Sequence, residues 1–334
     1  MSRPFTLDVA VARHIARNKI RREKRFPFVT MLEPLEACNL ACAGCGRVRE
    51  YRDVIDRRLS VDECLAAVRA SGAPIVSVSG GEPLLHGQIG DIVRALRDDG
   101  RFMYLCTNGL LLREKLDLFP PSRQLCFVVH LDGTEAVHDS VTERPGTHKT
   151  AVAGIRAAIE RGHRVCTNTT LFHGSDAGDL HTLFADLQAM GVEGLMVSPG
   201  FAYGDVQDRD LFLERSESIR VFRRVLDPEK KFPFYNNPLY LDFLRGDREY
   251  PCAAWTTVTY TVKGWRLPCY ALADRHTDDV SELFAPELWT KYGPGVDPRC
   301  GNCMMHASFE GASILDALSK PARLLRVARG VWGA

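Results

Sequence analysis

Short apolar runs alternate with helical patterns along the first two thirds of the chain. The apolar runs read as strands at 28–36, 74–81, 101–109, 125–133, 163–172 and 192–200. Between them, apolar residues at helical intervals predict helices at 89–99, 148–162 and 179–191. Because most strands are apolar throughout, we expect a parallel sheet covered by helices. The predicted fold class is α/β, a partial (βα)6 TIM-type barrel with ligands at the carboxyl ends of its strands.

Different patterns flank this alternation. Residues 6–25 place apolar side chains at helical intervals among many basic ones, which predicts a basic amphipathic helix. After residue 205 the chain becomes charged, then aromatic, and it ends on a second basic amphipathic stretch. We expect three parts: an N-terminal helix (1–27), a barrel core (28–205) and a small cysteine-rich C-terminal extension (206–334).

Composition narrows the class of protein. The 334 residues are 45% hydrophobic and 25% charged, with a net charge of +1, which indicates a globular chain without a nucleic-acid partner. No apolar run approaches the roughly 20 residues that span a bilayer, and the N-terminus lacks the pattern of a signal peptide. We expect a cytoplasmic protein. Eleven cysteines in a reducing compartment indicate metal or redox chemistry.

Three of these cysteines form the pattern C-x3-C-x2-C, Cys38, Cys42 and Cys45, in what we call the three-cysteine loop (38–45). A [4Fe–4S] cluster takes four ligands, so three thiolates leave one iron open. That iron can bind S-adenosylmethionine (SAM), whose cleavage gives a 5′-deoxyadenosyl radical. The alternatives are zinc and unrelated buried thiols, although no fourth Cys or His follows at zinc-finger spacing.

Polar and unusual residues follow several strands where each strand ends. The turn SGGEP (79–83) comes after the second strand, and together with the three-cysteine loop it resembles the radical SAM superfamily. The resemblance implies that Glu82 contacts the amino group of the methionine moiety. The implied cofactor-binding residues are Gly80, Gly81, Glu82, Asp132, Asn168 and Ser198. For the last three, a cap on a helix or turn is the alternative.

A second cysteine group lies in the extension and comprises Cys252, Cys269, Cys300 and Cys303. A glycine-bearing hairpin separates the first two thiols, and the last two form a C-x2-C pair. The arrangement resembles the twitch form of the SPASM-type domain, which implies a second [4Fe–4S] cluster. Zinc and four reduced core cysteines are the alternatives.

Several longer segments resemble the adenosylhopane synthase family of radical SAM enzymes. They include GAPIVSVSGGEPLLH, FMYLCTNGLLL, GVEGLMVSPGFAY and CGNCMMHASFEG. The resemblance implies a transferase that adds the 5′-deoxyadenosyl radical to the alkene of a hopanoid such as diploptene. The implied partners are this lipid-like substrate and an electron donor such as flavodoxin or ferredoxin.

The radical left on such a lipid needs a hydrogen atom, and Cys106 is the candidate catalytic donor. The alternative is that Cys106 is a small buried hydrophobe. We expect Tyr104 on the opposite face of its strand. The competing functions are a radical SAM dehydrogenase or epimerase of a small polar metabolite, and a cluster-bearing scaffold without catalysis.

A lipid substrate suggests peripheral membrane contact through the terminal basic stretches. The residues concerned are Arg13, Arg17, Lys19, Arg21, Arg22, Lys24 and Arg25, with Arg323, Arg326 and Arg329. The alternative is a solvated basic face on helices that close the floor of the barrel.

Overall fold

The computed structural model describes residues 4–202, 204–206 and 208–332, with the backbone alone for 329–332. The strands are β1 (Val29–Leu32), β2 (Ile75–Val78), β3 (Phe102–Thr107), β4 (Leu125–His130), β5 (Arg164–Leu171), β6 (Gly194–Pro199), β7 (Thr257–Thr261), β8 (Gly264–Pro268) and β9 (Ala273–Thr277). The helices are α1 (Phe5–Ile20), α2 (Arg47–Glu50), α3 (Val61–Ser71), α4 (Ile89–Asp98), α5 (Leu112–Lys115), α6 (Glu135–Val141), α7 (Thr147–Glu160), α8 (Ala177–Met190), α9 (Arg215–Val225), α10 (Pro238–Leu244), α11 (His306–Ala317) and α12 (Pro321–Trp332).

All nine strands belong to one sheet with the order β6-β5-β4-β3-β2-β1-β7-β8-β9. The first six are parallel and neighbour one another in chain order, as the predicted βα alternation requires. The predicted α/β class is confirmed. In the described sheet β6 and β9 are both edge strands, so the barrel is partial.

The two faces of the parallel strands have different surroundings. On the outer face, side chains such as Val78, Leu105 and Val129 are buried under the helices in the main core. On the inner face, Cys126, Val128 and Cys166 form a separate buried cluster, against which Tyr104 and Cys106 pack. The expectation that Tyr104 faces away from Cys106 is therefore wrong. Residues two apart on a strand share a face.

The extension enlarges the sheet at its β1 edge. β7 pairs with β1 in parallel, and β8 and β9 then add antiparallel strands. Buried Arg266 on β8 contacts Glu50 Oε1 (3.0 Å) and Tyr51 Oη (3.1 Å), which lie just after the three-cysteine loop. No helix in the described ranges is long and apolar enough to cross a membrane.

Candidate active site

The three-cysteine loop begins after β1 and packs against the turn that follows β2. Gly81 N donates to Leu35 O (3.1 Å) and Glu82 N to Ala37 O (2.9 Å). A Cβ at Gly80 would lie 2.2 Å from Leu35 O, and one at Gly81 would lie 2.2 Å from Ala37 O. Both distances are far below van der Waals contact. The absence of side chains at these two positions therefore lets the start of the cysteine loop approach Glu82.

The carboxyl group of Glu82 accepts three hydrogen bonds near the carboxyl ends of β2 and β3. Its Oε1 accepts hydrogen bonds from Leu84 N (3.0 Å) and Thr107 Oγ1 (2.8 Å), and its Oε2 accepts one from Asn108 N (2.8 Å). Burial raises the pKa of Glu82, and the three hydrogen bonds oppose this shift without cancelling it. These bonds fix the orientation of the carboxyl group, which is the arrangement needed to receive an ammonium group.

The three thiols of the loop are near enough for their charges to act on one another, although among the residues that the structure describes no three Cys, His, Asp or Glu side chains lie close enough to hold a single metal ion. Burial, with a smaller contribution from the charge of Cys45, raises the pKa of Cys38 to about 11 and that of Cys42 to about 12. Asn108 Nδ2 lies 3.9 Å from Cys38 Sγ, so the loop also meets the end of β3. One loop with three neighbouring thiols fits three corners of a [4Fe–4S] cluster, whose fourth iron is then free for SAM.

The other predicted cofactor residues line the ends of β4, β5 and β6. His130 Nε2 lies 2.8 Å from Asp132 Oδ1, which also accepts a hydrogen bond from Thr170 N (2.8 Å). Asn168 Nδ2 lies 3.3 Å from His130 Nδ1, and Ser198 pairs with Thr170 in the sheet register. Burial lowers the pKa of His130, but the charge of Asp132 and the hydrogen bond to it leave that pKa raised. Asp132 thus joins two strand ends instead of capping a helix.

Sequence reasoning missed two side chains at the carboxyl ends of the parallel strands. The Phe172 ring lies between the cysteine loop and the end of β6, since a Cβ at Gly44 or Gly200 would lie 2.9 or 2.8 Å from its Cε1. Asn39 Oδ1 accepts a hydrogen bond from Asn108 Nδ2 (2.7 Å). Strand alternation from Asn168 could have placed Phe172 on the inner face. Nothing in the sequence pairs Asn39 with Asn108.

Cys106 lies on the inner face of β3, below this edge. It is half-buried, and its Sγ lies 3.4 Å from Ser77 Oγ. Burial raises the pKa of Cys106 to about 11, against the smaller opposite effect of the Ser77 hydrogen bond. At neutral pH the side chain is therefore a thiol that carries its hydrogen.

The second cysteine group also gathers in space. Burial raises the pKa of Cys252, and the charges of Cys269, Cys303 and Cys300 raise it further. The pKa of Cys269 rises to about 12 for the same reasons. In the described ranges, no three Cys, His, Asp or Glu side chains lie close enough to hold a single metal ion.

A local backbone feature recurs at the thiols of both groups. Burial raises the thiol pKa at Cys38, Cys252, Cys269 and Cys303, and a backbone N–H two residues after each cysteine, joined at Cys269 by that of Leu272, opposes the shift. Such donors stabilise a thiolate, which is the form that binds metal.

One buried side chain connects the two groups. Arg47, two residues after Cys45, donates to Glu33 Oε1 (2.8 Å), and its guanidinium lies 4.8 Å from the centre of the Tyr270 ring. Tyr270 directly follows Cys269. The segment just after the three-cysteine loop therefore contacts the extension through the buried side chain of Arg47.

Two protein-family models match this chain. Residues 32–187 match the radical SAM superfamily, and residues 195–327 match a domain of unknown function, DUF3463. The second match includes all four cysteines of the extension.

Several relatives with assigned activities match part of this chain. AdoMet-dependent heme synthase from Methanosarcina barkeri is 33% identical over 43% of each chain. GTP 3′,8-cyclase 1 from Mycobacterium tuberculosis is 28% identical over 48% of each chain. The chain thus spans about half the length of these relatives. A probable GTP 3′,8-cyclase from Methanococcus maripaludis is 25% identical over 76% of this chain and 89% of its own.

Crystal structures with low sequence identity share the fold. Streptococcus suis SuiB bound to S-adenosylmethionine is 16% identical, with a TM-score of 0.67 over 93% of this chain and 79% of SuiB. The enzyme anSMEcpe with bound AdoMet is 14% identical, with a TM-score of 0.59 over 91% of this chain and 100% of its own.

The matched segment 32–187 contains the three-cysteine loop and the turn at 79–83. The superfamily uses a [4Fe–4S] cluster and SAM, and the donor set at this edge fits both. Residues 32–187, somewhat less than half of the chain, are therefore similar to the radical SAM superfamily.

Proposed function

We propose that this chain is a transferase that joins the 5′-deoxyadenosyl group of SAM to the alkene of a hopanoid lipid such as diploptene. The observation that carries the proposal is the protonated thiol of Cys106 on the inner face of the barrel. The resemblance of the sequence segments to adenosylhopane synthases supports the choice of substrate.

The cofactor residues have separate roles in this proposal. Cys38, Cys42 and Cys45 hold the cluster, while Glu82, reached across Gly80 and Gly81, receives the amino group of the methionine moiety. The rest of the cofactor lies at the carboxyl ends of β4, β5 and β6, in a space lined by Asp132, Asn168 and Ser198. When bound, the cluster and SAM supply the 5′-deoxyadenosyl radical, which adds to the alkene and leaves a carbon radical on the lipid.

Cys106 then quenches that radical. Its S–H bond breaks, its hydrogen atom forms a C–H bond with the lipid carbon, and a thiyl radical stays on sulfur. One electron from a flavodoxin- or ferredoxin-type donor and one proton restore the thiol. Because an S–H bond is weaker than an aliphatic C–H bond, the transfer runs from sulfur to carbon.

The wall around Cys106 supports a hydrocarbon substrate. Val128, Cys126 and Cys166 are buried beside it, and Met196 is half-buried on the same face. These side chains offer no charge. The Cys126, Val128 and Cys166 side chains are almost inaccessible. An apolar substrate would therefore cover Met196, Tyr104 and Cys106 and gain roughly 25 cal/mol for each Å² of apolar surface removed from water.

The second cysteine group supports a second [4Fe–4S] cluster, with zinc as the alternative. It also favours one competing function, a dehydrogenase or epimerase of a small polar metabolite. A second cluster could accept an electron from a substrate radical, and His130 and Asn168 could bind hydroxyl groups. The two functions differ in product, since dehydrogenation releases free 5′-deoxyadenosine and addition consumes it.

The test is anaerobic incubation of the reconstituted enzyme with SAM, a reductant and diploptene, followed by mass spectrometry. We expect a saturated adenosylated adduct. Cys106→Ala should lower its yield at least about tenfold, since no other step supplies the hydrogen.

Cys64→Ala is the matched control, because Cys64 is a buried thiol on α3, outside the inner-face cluster. Its adduct yield should be unchanged. Free 5′-deoxyadenosine without an adduct would favour the competing function, and a full yield from Cys106→Ala would refute the donor role.

A further inference from the structure

Helix α1 is fixed to the rest of the molecule by one apolar face. Leu7 and Ile15 are buried there, and Ile15 packs in a cluster with Phe26 and Phe28. Ile314 and Leu315 of α11 contact the same cluster. This face satisfies the ordinary amphipathic pattern of a surface helix.

A second apolar face of the same helix is exposed. Val9 is 47% exposed and Ile20 is 82% exposed, and Ala12 and Ala16 are exposed between them. The four residues recur at intervals of three or four, so they form one stripe along the helix. We call Val9, Ala12, Ala16 and Ile20 the outer stripe. Holding the helix in place does not require it.

Cations flank the outer stripe on both sides. Arg13 and Arg17 each follow one of its alanines, and Lys19 precedes Ile20. Arg21, Arg22 and Lys24 continue the basic run beyond the helix. All six are exposed, and none makes an ion pair with an acidic side chain within the ranges that the structure describes.

Three other basic residues of the terminal stretches, Arg25, Arg323 and Arg326, are engaged elsewhere. Arg25 lies over the Trp255 ring, 5.3 Å from its centre. Arg323 pairs with Asp316, and Arg326 contacts Asp242 (2.6 Å). The side chain of Arg329 is outside the described residues. Among the terminal basic residues whose side chains the structure describes, those of α1 and the segment just after it thus form the largest group without an acidic partner.

We propose that the outer stripe docks on an anionic lipid bilayer. Val9 and Ile20 would enter the boundary between headgroups and acyl chains, while Arg13, Arg17 and Lys19 contact lipid phosphates. A face adapted to water or to a soluble polyanion gains nothing from apolar side chains between its cations. This proposal does not depend on the identity of the substrate.

The position of α1 sets the orientation on the membrane. Its anchoring cluster includes Phe28 and Val29, at the amino end of β1, whereas the three-cysteine loop follows the carboxyl end. Docking through α1 would therefore bring the amino end of β1 closer to the bilayer than its carboxyl end, which the cysteine loop follows.

The test is co-sedimentation of the full chain with vesicles, either phosphatidylcholine alone or phosphatidylcholine and phosphatidylglycerol in equal parts. We expect binding to the mixed vesicles only. Arg13→Gln with Arg17→Gln should lower the partition coefficient about thirtyfold, at about 1 kcal/mol for each cation. Val9→Ser with Ile20→Ser should lower it about tenfold.

The matched control is Leu324→Ser with Leu325→Ser, which removes leucines that are 50% and 58% exposed on α12. Its binding should equal that of the unmodified chain, and all variants should unfold at the same urea concentration. No binding to the mixed vesicles, or an equal loss in the control, would overturn the proposal. If only the arginine variant loses affinity, the face binds polyanions in general and the bilayer proposal is wrong.

Discussion

At the scale of single residues, the site depends on two glycines, because a side chain at either position would collide with the backbone. Gly80 has a φ of 110°, a conformation that side chains strongly disfavour. Gly81 does not have a positive φ, and its constraint is steric, because Ala37 O occupies the place of a Cβ. Backbone contact between two segments thus explains the glycine pair before any ligand is considered.

Gly81→Ala tests this explanation. The new methyl group would force the cysteine loop away from Glu82 and should cost about 2 kcal/mol of unfolding free energy, measured in urea. Iron bound after anaerobic reconstitution should fall as well. Gly87→Ala is the control, because a Cβ there meets nothing within 4 Å. Equal stability and iron content in both variants would show that the close approach is unimportant.

At the scale of elements, a histidine on α6 connects that helix to the end of β4. His138 Nδ1 accepts a hydrogen bond from Asp132 N (3.2 Å), and the His138 side chain is buried. Burial lowers the pKa of His138 to about 4, although the charge of Asp132 opposes the shift. The folded protein therefore keeps this imidazole neutral, which preserves its acceptor nitrogen.

This pKa predicts a pH dependence of stability. The unfolded imidazole takes up a proton as the pH falls below about 6.5, whereas the folded one resists until a pH of about 4. The contribution of neutral His138 to the free energy of unfolding is therefore fully present above pH 6.5 and is lost as the pH falls from 6.5 to about 4. His138→Asn keeps an acceptor without titrating, so the unmodified chain should lose about 2 kcal/mol more than the variant between pH 7 and 4.5.

Urea unfolding at the two pH values measures that difference. Exposed His173→Asn is the control and should keep the pH dependence of the unmodified chain. Parallel pH profiles for His138→Asn and the unmodified chain would contradict the assignment.

At the scale of the whole molecule, one continuous sheet supports both cysteine groups. The first group follows β1, and Cys269 follows β8, two strands away in the sheet. Arg47 and Arg266, both buried, connect the segment after the first group to the extension. The relative position of the two groups is therefore fixed by the core.

Cys269→Ala combined with Cys300→Ala tests what the second group binds, because only two of its four thiols then remain. If it holds a [4Fe–4S] cluster, iron after anaerobic reconstitution should fall from about eight to about four atoms per chain. The control Cys64→Ala should keep the full iron content. Unchanged iron in the double variant, or zinc in place of about four of the iron atoms in the unmodified chain, would exclude a second cluster at these thiols.

The sequence by itself determined the six parallel strands, several of the helices between them, their order and the chemistry of the cysteine loop. Apolar runs and helical periodicity are local properties, and so is the spacing of Cys38, Cys42 and Cys45. Strand ends also placed Glu82, Asp132 and Asn168 at one edge, because parallel strands all end on the same side.

Only the tertiary structure decided which of these features meet one another. It placed β7 beside β1, brought Phe172 between two glycines, and paired Arg323 and Arg326 with acids while leaving Arg13 and Arg17 exposed. Each of these outcomes depends on atoms far apart in the chain. Packing and charge pairing are properties of the assembled core, which local patterns do not encode.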